Sequence, residues 1–256
     1  ISQFKPTEEN MRSVMSPSEL LQGRIAGVSI STSSGNLGSA EKMSIRGSSS
    51  LSASNEPLYV IDGIPLSNNS ASLYSFGEGM SSLATLNLTD IESIEVLKDA
   101  ASAGIYGARA SNGVILITTK KGSVGQQPVT FSSNLTFQTP FSLPKFQDRY
   151  GVSGGVESWG ARGGVKPYDN TGEFFRTGVT AINSVSVSTG SKQVQNYFSY
   201  ANTAERGITG KNRLMRHNFN LRTVSELFRE RLRLDGNILS LIHISQPTRQ
   251  EAISYA

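Results

Sequence analysis

The sequence contains no cysteine, so neither a disulfide framework nor a thiolate metal site can form. Charged residues make up only 17% of the chain, below the roughly one quarter that is typical of globular proteins. No run of about 18 apolar residues occurs, which excludes a transmembrane helix. Glycine is plentiful, with 25 residues, and serine is abundant. Low charge combined with many small residues favours a β-rich architecture over a helical bundle.

The residues that usually carry chemistry are also scarce. The two histidines, His217 and His243, are far apart and lack the spacing of metal ligands. No G-x-S-x-G nucleophile elbow occurs, and no nucleophile–base pair can be identified. We therefore predict no catalytic residue, no metal site and no cofactor, and we do not expect an enzyme.

The net charge of +4 comes entirely from the second half of the chain. The basic residues after position 122 are spread along alternating segments and form no compact cluster that could follow a phosphate backbone. A nucleic-acid partner is therefore not expected.

The first half of the chain contains short elements separated by Gly/Ser loops. Ser16 precedes Pro17 and Glu19 in the pattern of a capped helix start. The segment "PLYVIDGIPL" (57–66) reads as a hairpin, because Asp62-Gly63 is a favoured two-residue turn with both φ angles positive. Its arms are apolar at nearly every position, which predicts burial on both faces, and Pro65 places the second arm at an edge.

The densest stretch runs from position 88 to 122. Asp90 is predicted to cap one helical turn, and Asp99 a short Ala-rich helix that Gly104 or Gly107 ends. The run "GVILITT" (113–119) is apolar throughout and predicts a central strand covered on both faces. Together these elements predict a small mixed sheet with short helices, ending near Gly122.

After Gly122 the pattern changes to alternation of apolar and polar residues. In "VTFSSNLTFQ" (129–138), Val129, Phe131, Leu135 and Phe137 fall on one face. Later alternating segments are separated by turn residues such as Asp235-Gly236. Segments of about ten alternating residues are typical of an outer-membrane β-barrel, and they also fit a soluble sandwich.

Five stretches resemble the TonB-dependent outer-membrane transporters of the SusC/RagA type. These are "LQGRIAGVSI", "MSIRGSSSL", "PLYVIDGIPL", "LNLTDIESIEVLKDAASAGIYGARASNGVILITTKKG" and "EFFRTGV…NSVSVSTG". The resemblance implies an α+β plug domain at 1–122, followed at 123–238 by antiparallel strands of an incomplete transmembrane β-barrel. Because such barrels have about 22 strands and this chain offers about five, we expect a truncated fragment that cannot transport by itself.

The resemblance also implies partners and candidate contacts. The parent protein would import an oligosaccharide or peptide across the outer membrane, with TonB and a SusD-like surface lipoprotein as partners. TonB would grip a segment that precedes the plug and is missing from this chain. Arg46 would face acidic residues of the barrel wall, and Tyr74 and Phe76, in the long loop 67–82, could stack on a sugar ring. Asp62, Gly63, Asp99 and Gly107 are expected to have turn or structural roles.

Two alternatives remain open at this point. A secreted β-rich binding or adhesion domain without transport activity would bury the apolar face of 123–238 in a sandwich, whereas a barrel would turn that face outward. Residues 239–256 begin with "LSLIHISQPTR", which resembles the translation of a transposon-type sequencing adapter. We therefore expect a non-native tail there, with an ordinary strand followed by a turn as the alternative.

Overall fold

A computed structural model gives the fold of the chain. It describes all residues except 1, 12–13, 15, 33–36, 40, 48–54, 67–82, 84–85, 100–103, 126, 144, 146, 148, 154–159, 164–169, 228–231 and 247–256. None of the helices in the described part of the chain has the length and hydrophobicity needed to span a bilayer.

The region before Gly122 consists of short strands with single helical turns between them. The strands are β1 (Ser2–Phe4), β2 (Val28–Thr32), β3 (Glu41–Ile45), β4 (Leu58–Ile61), β5 (Ile64–Pro65), β6 (Ile91–Leu97) and β7 (Val114–Thr119). The helical turns are α1 (Glu8–Met11) and three 3₁₀ segments at Glu19–Leu21, Leu88–Asp90 and Gly104–Ala110.

Five of these strands form the first sheet, in the order β1-β6-β7-β4-β5. Strand β4 pairs with β7 in parallel, whereas β6 pairs with β7 in antiparallel fashion, so the sheet is mixed as predicted. Strand β7 lies at its centre. Strands β2 and β3 form a separate two-stranded sheet.

All four residues of β4 are buried, because successive side chains enter different clusters. Tyr59 and Ile61 belong to the larger cluster, and Leu58 and Val60 to a smaller one. The prediction that both faces are buried is therefore confirmed for the first arm of the hairpin. It is wrong for the second arm, where Ile64 is 66% exposed.

The five strands after Gly122 are much longer and form what we call the long-stranded sheet. They are β8 (Val129–Gln138), β9 (Gly178–Gly190), β10 (Val194–Arg206), β11 (Arg213–Leu227) and β12 (Leu232–Gln246). Each strand is antiparallel to the next, in sequence order. The connection between β8 and β9 is long and contains α2 (Asn170–Phe174), whereas the other connections are short.

The two faces of the long-stranded sheet differ in chemistry. The inward face packs on the first sheet and buries mainly polar side chains, namely Thr180, Ser184, Ser188, Ser199, Thr203, Asn218, Asn220 and Arg222. The outward face leaves large apolar side chains exposed, among them Val129, Phe131, Leu135, Phe137, Phe198, Phe219, Leu221, Ile238 and Ile242. The structure therefore has the outward apolar face of a barrel wall rather than the buried apolar face of a sandwich.

The link between the sheets is fixed against β9. The Ser123 backbone N–H donates to Ser188 Oγ at 2.7 Å, and the two hydroxyl oxygens lie 3.0 Å apart. A Cβ on Gly122 would lie 2.5 Å from the Asn196 nitrogen, so only glycine fits there. The chain thus leaves the first sheet along a fixed path.

Strand β12 continues to Gln246, paired with β11 along its whole length. It passes the position, Leu239, at which we expect the native sequence to end. Leu239 itself packs against the larger cluster of the first sheet. The non-native origin of residues 239–256 stays a prediction.

Candidate functional site: the polar interface between the sheets

Buried polar and charged side chains connect the first sheet to the inward face of the long-stranded sheet. We call the first group the Arg222 cluster; its members are Asp62, Thr119, Arg222, Asp235 and Asn237. The Asp62 side chain is 7% exposed and the Arg222 side chain 4%.

The hairpin turn positions Asp62 for this contact. Its φ of 49° and the Gly63 φ of 86° are both positive, as the Asp-Gly pair predicts. The carboxylate accepts hydrogen bonds from the backbone N–H and the hydroxyl of Thr119, at 2.9 and 2.7 Å. The turn therefore aims the carboxylate across β7 towards the other sheet.

Arg222 supplies the positive charge from β11. Its Nη1 donates to Asp62 at 2.7 Å, and to the Thr119 carbonyl and hydroxyl at 2.8 and 2.9 Å. Its Nε and Nη2 donate to the two carboxylate oxygens of Asp235 in β12, at 3.1 and 3.0 Å. Asn237 Nδ2 completes the cluster by donating to Asp62 at 2.7 Å. A single guanidinium thus joins one carboxylate of the first sheet to one of the long-stranded sheet.

The second group is centred on Asp90, which is 2% exposed. Its two carboxylate oxygens accept hydrogen bonds from the Tyr197 hydroxyl at 2.9 Å and the Ser199 hydroxyl at 2.6 Å, both in β10. Burial raises the pKa of the Asp90 carboxyl, and the hydrogen bonds from Ser199 and Tyr197 partly oppose the rise. Among the residues that the structure describes, no cation forms an ion pair with Asp90, so hydroxyl hydrogen bonds hold this titratable group in the interface.

Both clusters suit a joint that can open. Hydrogen bonds to charged groups contribute a net of about 1.5–3 kcal/mol each, less than their strength in an apolar medium, because water replaces them when the surfaces part. A buried charge also regains its hydration on exposure. A polar interface holds the two sheets in register without the large cost of exposing an apolar core.

The predicted site residues have different positions. Arg46 forms an ion pair with Asp99 at 2.7 Å, and the two side chains are 60% and 53% exposed. Both belong to the region before Gly122, so a contact of Arg46 with a barrel wall stays a prediction. Gly107, with a φ of 67°, interrupts the 3₁₀ segment Gly104–Ala110. Tyr74 and Phe76 lie outside the described residues.

The prediction that Asp90 caps a helical turn is wrong. Asn87 is the N-cap of Leu88–Asp90, and its side chain accepts a hydrogen bond from the Thr89 N–H. The Asp90 carboxylate instead accepts hydrogen bonds from side chains of β10. Sequence reasoning also missed Arg222. A signal for it was present, because Asn218, Asn220 and Arg222 share one parity of β11 and alternate with the apolar Phe219 and Leu221.

Comparison with known proteins agrees with this architecture. Residues 1–114 match the family model described as the TonB-dependent receptor plug domain. Over 246 residues, 91% of the chain, the sequence is 36% identical to the TonB-dependent receptor SusC of Bacteroides thetaiotaomicron. The chain belongs to the TonB-dependent receptors of the SusC/RagA type. Such receptors lie in the outer membrane, and so does this protein. Because residues 1–114 match the plug-domain model, we call the region before Gly122 the plug.

Two further receptors are similar to the chain, one in sequence and one in structure. The TonB-dependent receptor P26 of Formosa agariphila is 37% identical over 174 residues, or 66% of the chain. The structure of the RagAB peptide importer superposes on the whole chain with a TM-score of 0.76 at 24% identity, and that match covers 32% of the importer chain. The present chain spans 23% of the length of SusC and 16% of that of P26.

Proposed function

We propose that the chain is part of a receptor that imports an oligosaccharide or a peptide across the outer membrane, its plug gating the barrel lumen. The observation that carries this proposal is the 36% identity to SusC along 91% of the chain. Residues 1–122 would be the plug and residues 123–238 the first barrel strands. By itself the chain would be a truncated, non-transporting fragment with a non-native tail at 239–256.

The contacts between the plug and the long-stranded sheet are of a kind that permits gating. The plug is attached to the long-stranded sheet through the Arg222 cluster and through Asp90, and these bonds can be exchanged for water. We propose that TonB, driven by the inner-membrane proton gradient, acts on a segment that precedes the plug. A pull from that side would separate plug and sheet without breaking a covalent bond.

The substrate class follows only from relatives. The matched RagAB assembly is a peptide importer, and an oligosaccharide is the other substrate class that the resemblance to the SusC/RagA type implies. A SusD-like lipoprotein would cover the outer opening. Tyr74 and Phe76 remain our proposed substrate contacts, because aromatic rings can stack on sugars.

Uptake by the full-length receptor that carries this segment would test the proposal. Cells expressing it would be given labelled oligosaccharides and labelled peptides, with and without a protonophore. We expect uptake of one class, lost with the protonophore and in a TonB-deficient strain. A receptor that stays soluble and monomeric without detergent, and takes up neither class, would contradict it and favour a secreted binding domain.

The tail can be tested separately. Long-read sequencing of the source gene should show a different sequence from position 239 onward. Recovery of "LSLIHISQPTR" in the native gene would contradict the proposal for residues 239–256.

A further inference from the structure

Two arginines are directly opposed on the outward face of the long-stranded sheet. Arg206 is the last residue of β10 and Arg213 the first of β11, and the register of the two strands pairs them. Both side chains are exposed, and they share the outward face with Phe198 and Phe219. Like charges directly opposite each other destabilise a sheet. An anion held between the two guanidinium groups would remove this repulsion.

The described carboxylates do not supply that anion. Within the described part of the chain, neither arginine forms an ion pair. Glu205 is adjacent to Arg206 in sequence, but it alternates with it along β10 and shares the inward face with the buried Ser199 and Thr203. An anion that approaches from the outward side of the sheet would meet both arginines.

The pair lies at one edge of the apolar band of the outward face. This face of β10 and β11 is mainly apolar from the arginines down to Asn196 and Thr223, which are also directly opposed. Each arginine is ten residues from the polar residue at the other edge. At about 3.4 Å per residue and a strand tilt of about 45°, ten residues span a height of about 24 Å, close to the roughly 25 Å of a barrel's apolar band.

The lengths of the connections show which edge this is. The long connection between β8 and β9 leaves at Gln138 and returns at Gly178, at the end of the sheet where Arg206 lies. The opposite end has the short turn 191–193. Outer-membrane barrels have long loops outside and short turns on the periplasmic side. The arginines therefore lie at the level of the outer-leaflet headgroups, in one row with Phe137, which is 64% exposed and suits an interfacial aromatic girdle.

The surroundings of the pair fit an amphiphile. One row closer to the middle of the band, Ala204 and Met215 are directly opposed, and Met215 is 45% exposed. A guanidinium binds a phosphate through two parallel hydrogen bonds and is more weakly hydrated than an ammonium group. A lipid with a phosphate on its headgroup would place that phosphate at the arginines and its acyl chains on the apolar rows.

We propose that Arg206 and Arg213 bind the phosphate group of a glycolipid in the outer leaflet, with its acyl chains lying along Met215 and Phe137. The site is on the opposite face of the sheet from the plug, so it is separate from the path of an imported solute. The inference goes beyond the proposed function and depends only on the location of the receptor in the outer membrane.

Lipid binding to the full-length receptor tests the inference. The receptor, stripped of lipid in a neutral detergent, would be titrated with monophosphoryl lipid A and with the same lipid after removal of its phosphate, and binding would be followed by native mass spectrometry. We expect the unmodified receptor to bind the phosphorylated form at least tenfold more tightly. Arg206→Met/Arg213→Met should bind both forms equally, with an unchanged unfolding midpoint in lipid-free detergent.

Two further variants make the test specific. Arg233→Met removes an exposed arginine at the opposite end of the sheet, where it is paired with Glu226, and it should keep the preference for phosphate within twofold. Arg206→Lys/Arg213→Lys keeps both charges but loses the two-pronged geometry of the guanidinium, so it should keep only part of the preference.

Photo-cross-linking in cells gives the position of the lipid. Met215 and Leu221 are matched sites, because both are on the outward face of β11 with 45% and 41% exposure, but Leu221 is closer to the periplasmic edge. A photoreactive residue at position 215 should cross-link to the phosphorylated glycolipid, and one at position 221 should not.

Four results would overturn the inference. They are equal affinity of the unmodified receptor for both forms of the lipid, a loss of preference in Arg233→Met as large as in the double methionine variant, competition by inorganic phosphate at the same concentration as the lipid, and cross-linking at position 221 instead of 215. Solute uptake is a separate measurement. Failure of uptake with intact lipid binding would contradict the proposed function and leave this inference standing.

Discussion

Replacing Arg222 with methionine is the sharpest perturbation of the plug interface. The change keeps much of the apolar stem of the side chain and removes all five hydrogen bonds of the guanidinium. It leaves the buried Asp62 carboxylate without its cation. Removing one partner of a buried ion pair costs about 3–5 kcal/mol, so we expect plug docking to weaken by that amount.

Amide hydrogen exchange measures this loss directly. The Thr119 N–H donates to Asp62, so its exchange reports on separation of the cluster. Because each 1.4 kcal/mol corresponds to a factor of ten, opening should become about 100-fold to several thousand-fold more frequent. Mass spectrometry of peptides covering β7 and the β4–β5 turn would detect this in the detergent-solubilised receptor.

Two controls complete the experiment. Arg213→Met removes an exposed arginine from the same strand and should change stability by less than about 0.5 kcal/mol. The double variant Asp62→Asn/Arg222→Met should lose less than the sum of the single losses, because the buried Asp62 charge is then removed together with its cation. Exchange at Thr119 that does not change in Arg222→Met would refute the argument that this cluster holds the plug.

Three further predictions concern other parts of the plug. Gly122→Ala should destabilise the receptor in urea unfolding by about 1–3 kcal/mol, because the new Cβ would lie 2.5 Å from the Asn196 nitrogen. The control Gly104→Ala places its Cβ in open space and should be neutral. Equal urea midpoints for the two variants would contradict the fixed path of the link. Burial raises the Asp90 pKa in the docked state. The contribution of Asp90 to the free energy of unfolding should therefore be complete below the ordinary aspartate pKa, and it should be lost as the pH rises through the raised pKa. The urea midpoint should therefore fall over that range, and Asp90→Asn should remove this dependence; an identical pH profile in the variant would show that Asp90 is not the group responsible. Arg46→Met should cost less than about 1 kcal/mol in thermal unfolding, because its ion pair with Asp99 is exposed; a larger loss would show that Arg46 has a stronger partner than Asp99.

Local sequence signals predicted several elements of both sheets. The Asp62-Gly63 turn, the central strand at 114–119 and the common face of Val129, Phe131, Leu135 and Phe137 depend on neighbours in the chain, so propensity and periodicity report them. The exposure of Ile64 was not predictable in this way, because apolarity alone does not show which face of an edge strand meets a neighbour.

The interface was harder to predict because its bonds join residues far apart in sequence. Asp62 and Arg222 are 160 positions apart, and Asp90 and Ser199 are 109 apart. Turn and capping preferences gave sufficient local explanations for Asp62 and Asp90, which concealed the contacts that both make with the long-stranded sheet. The resemblance implied a plug arginine facing wall carboxylates, whereas the described ion pair between plug and sheet joins a plug aspartate to a sheet arginine.

The orientation of the long-stranded sheet underlies all of these conclusions, and neighbouring residues of β9 test it most directly. Spin labels at Val187 and Ser186, introduced singly into the full-length receptor in lipid vesicles, would be compared by oxygen accessibility. Val187 lies on the outward face opposite the exposed Phe198, and Ser186 shares the inward face with the buried Ser184 and Ser188. We therefore predict high oxygen accessibility at position 187 and low accessibility at position 186. The reverse order, or equal values at both positions, would contradict a plug held on the polar side of a barrel wall.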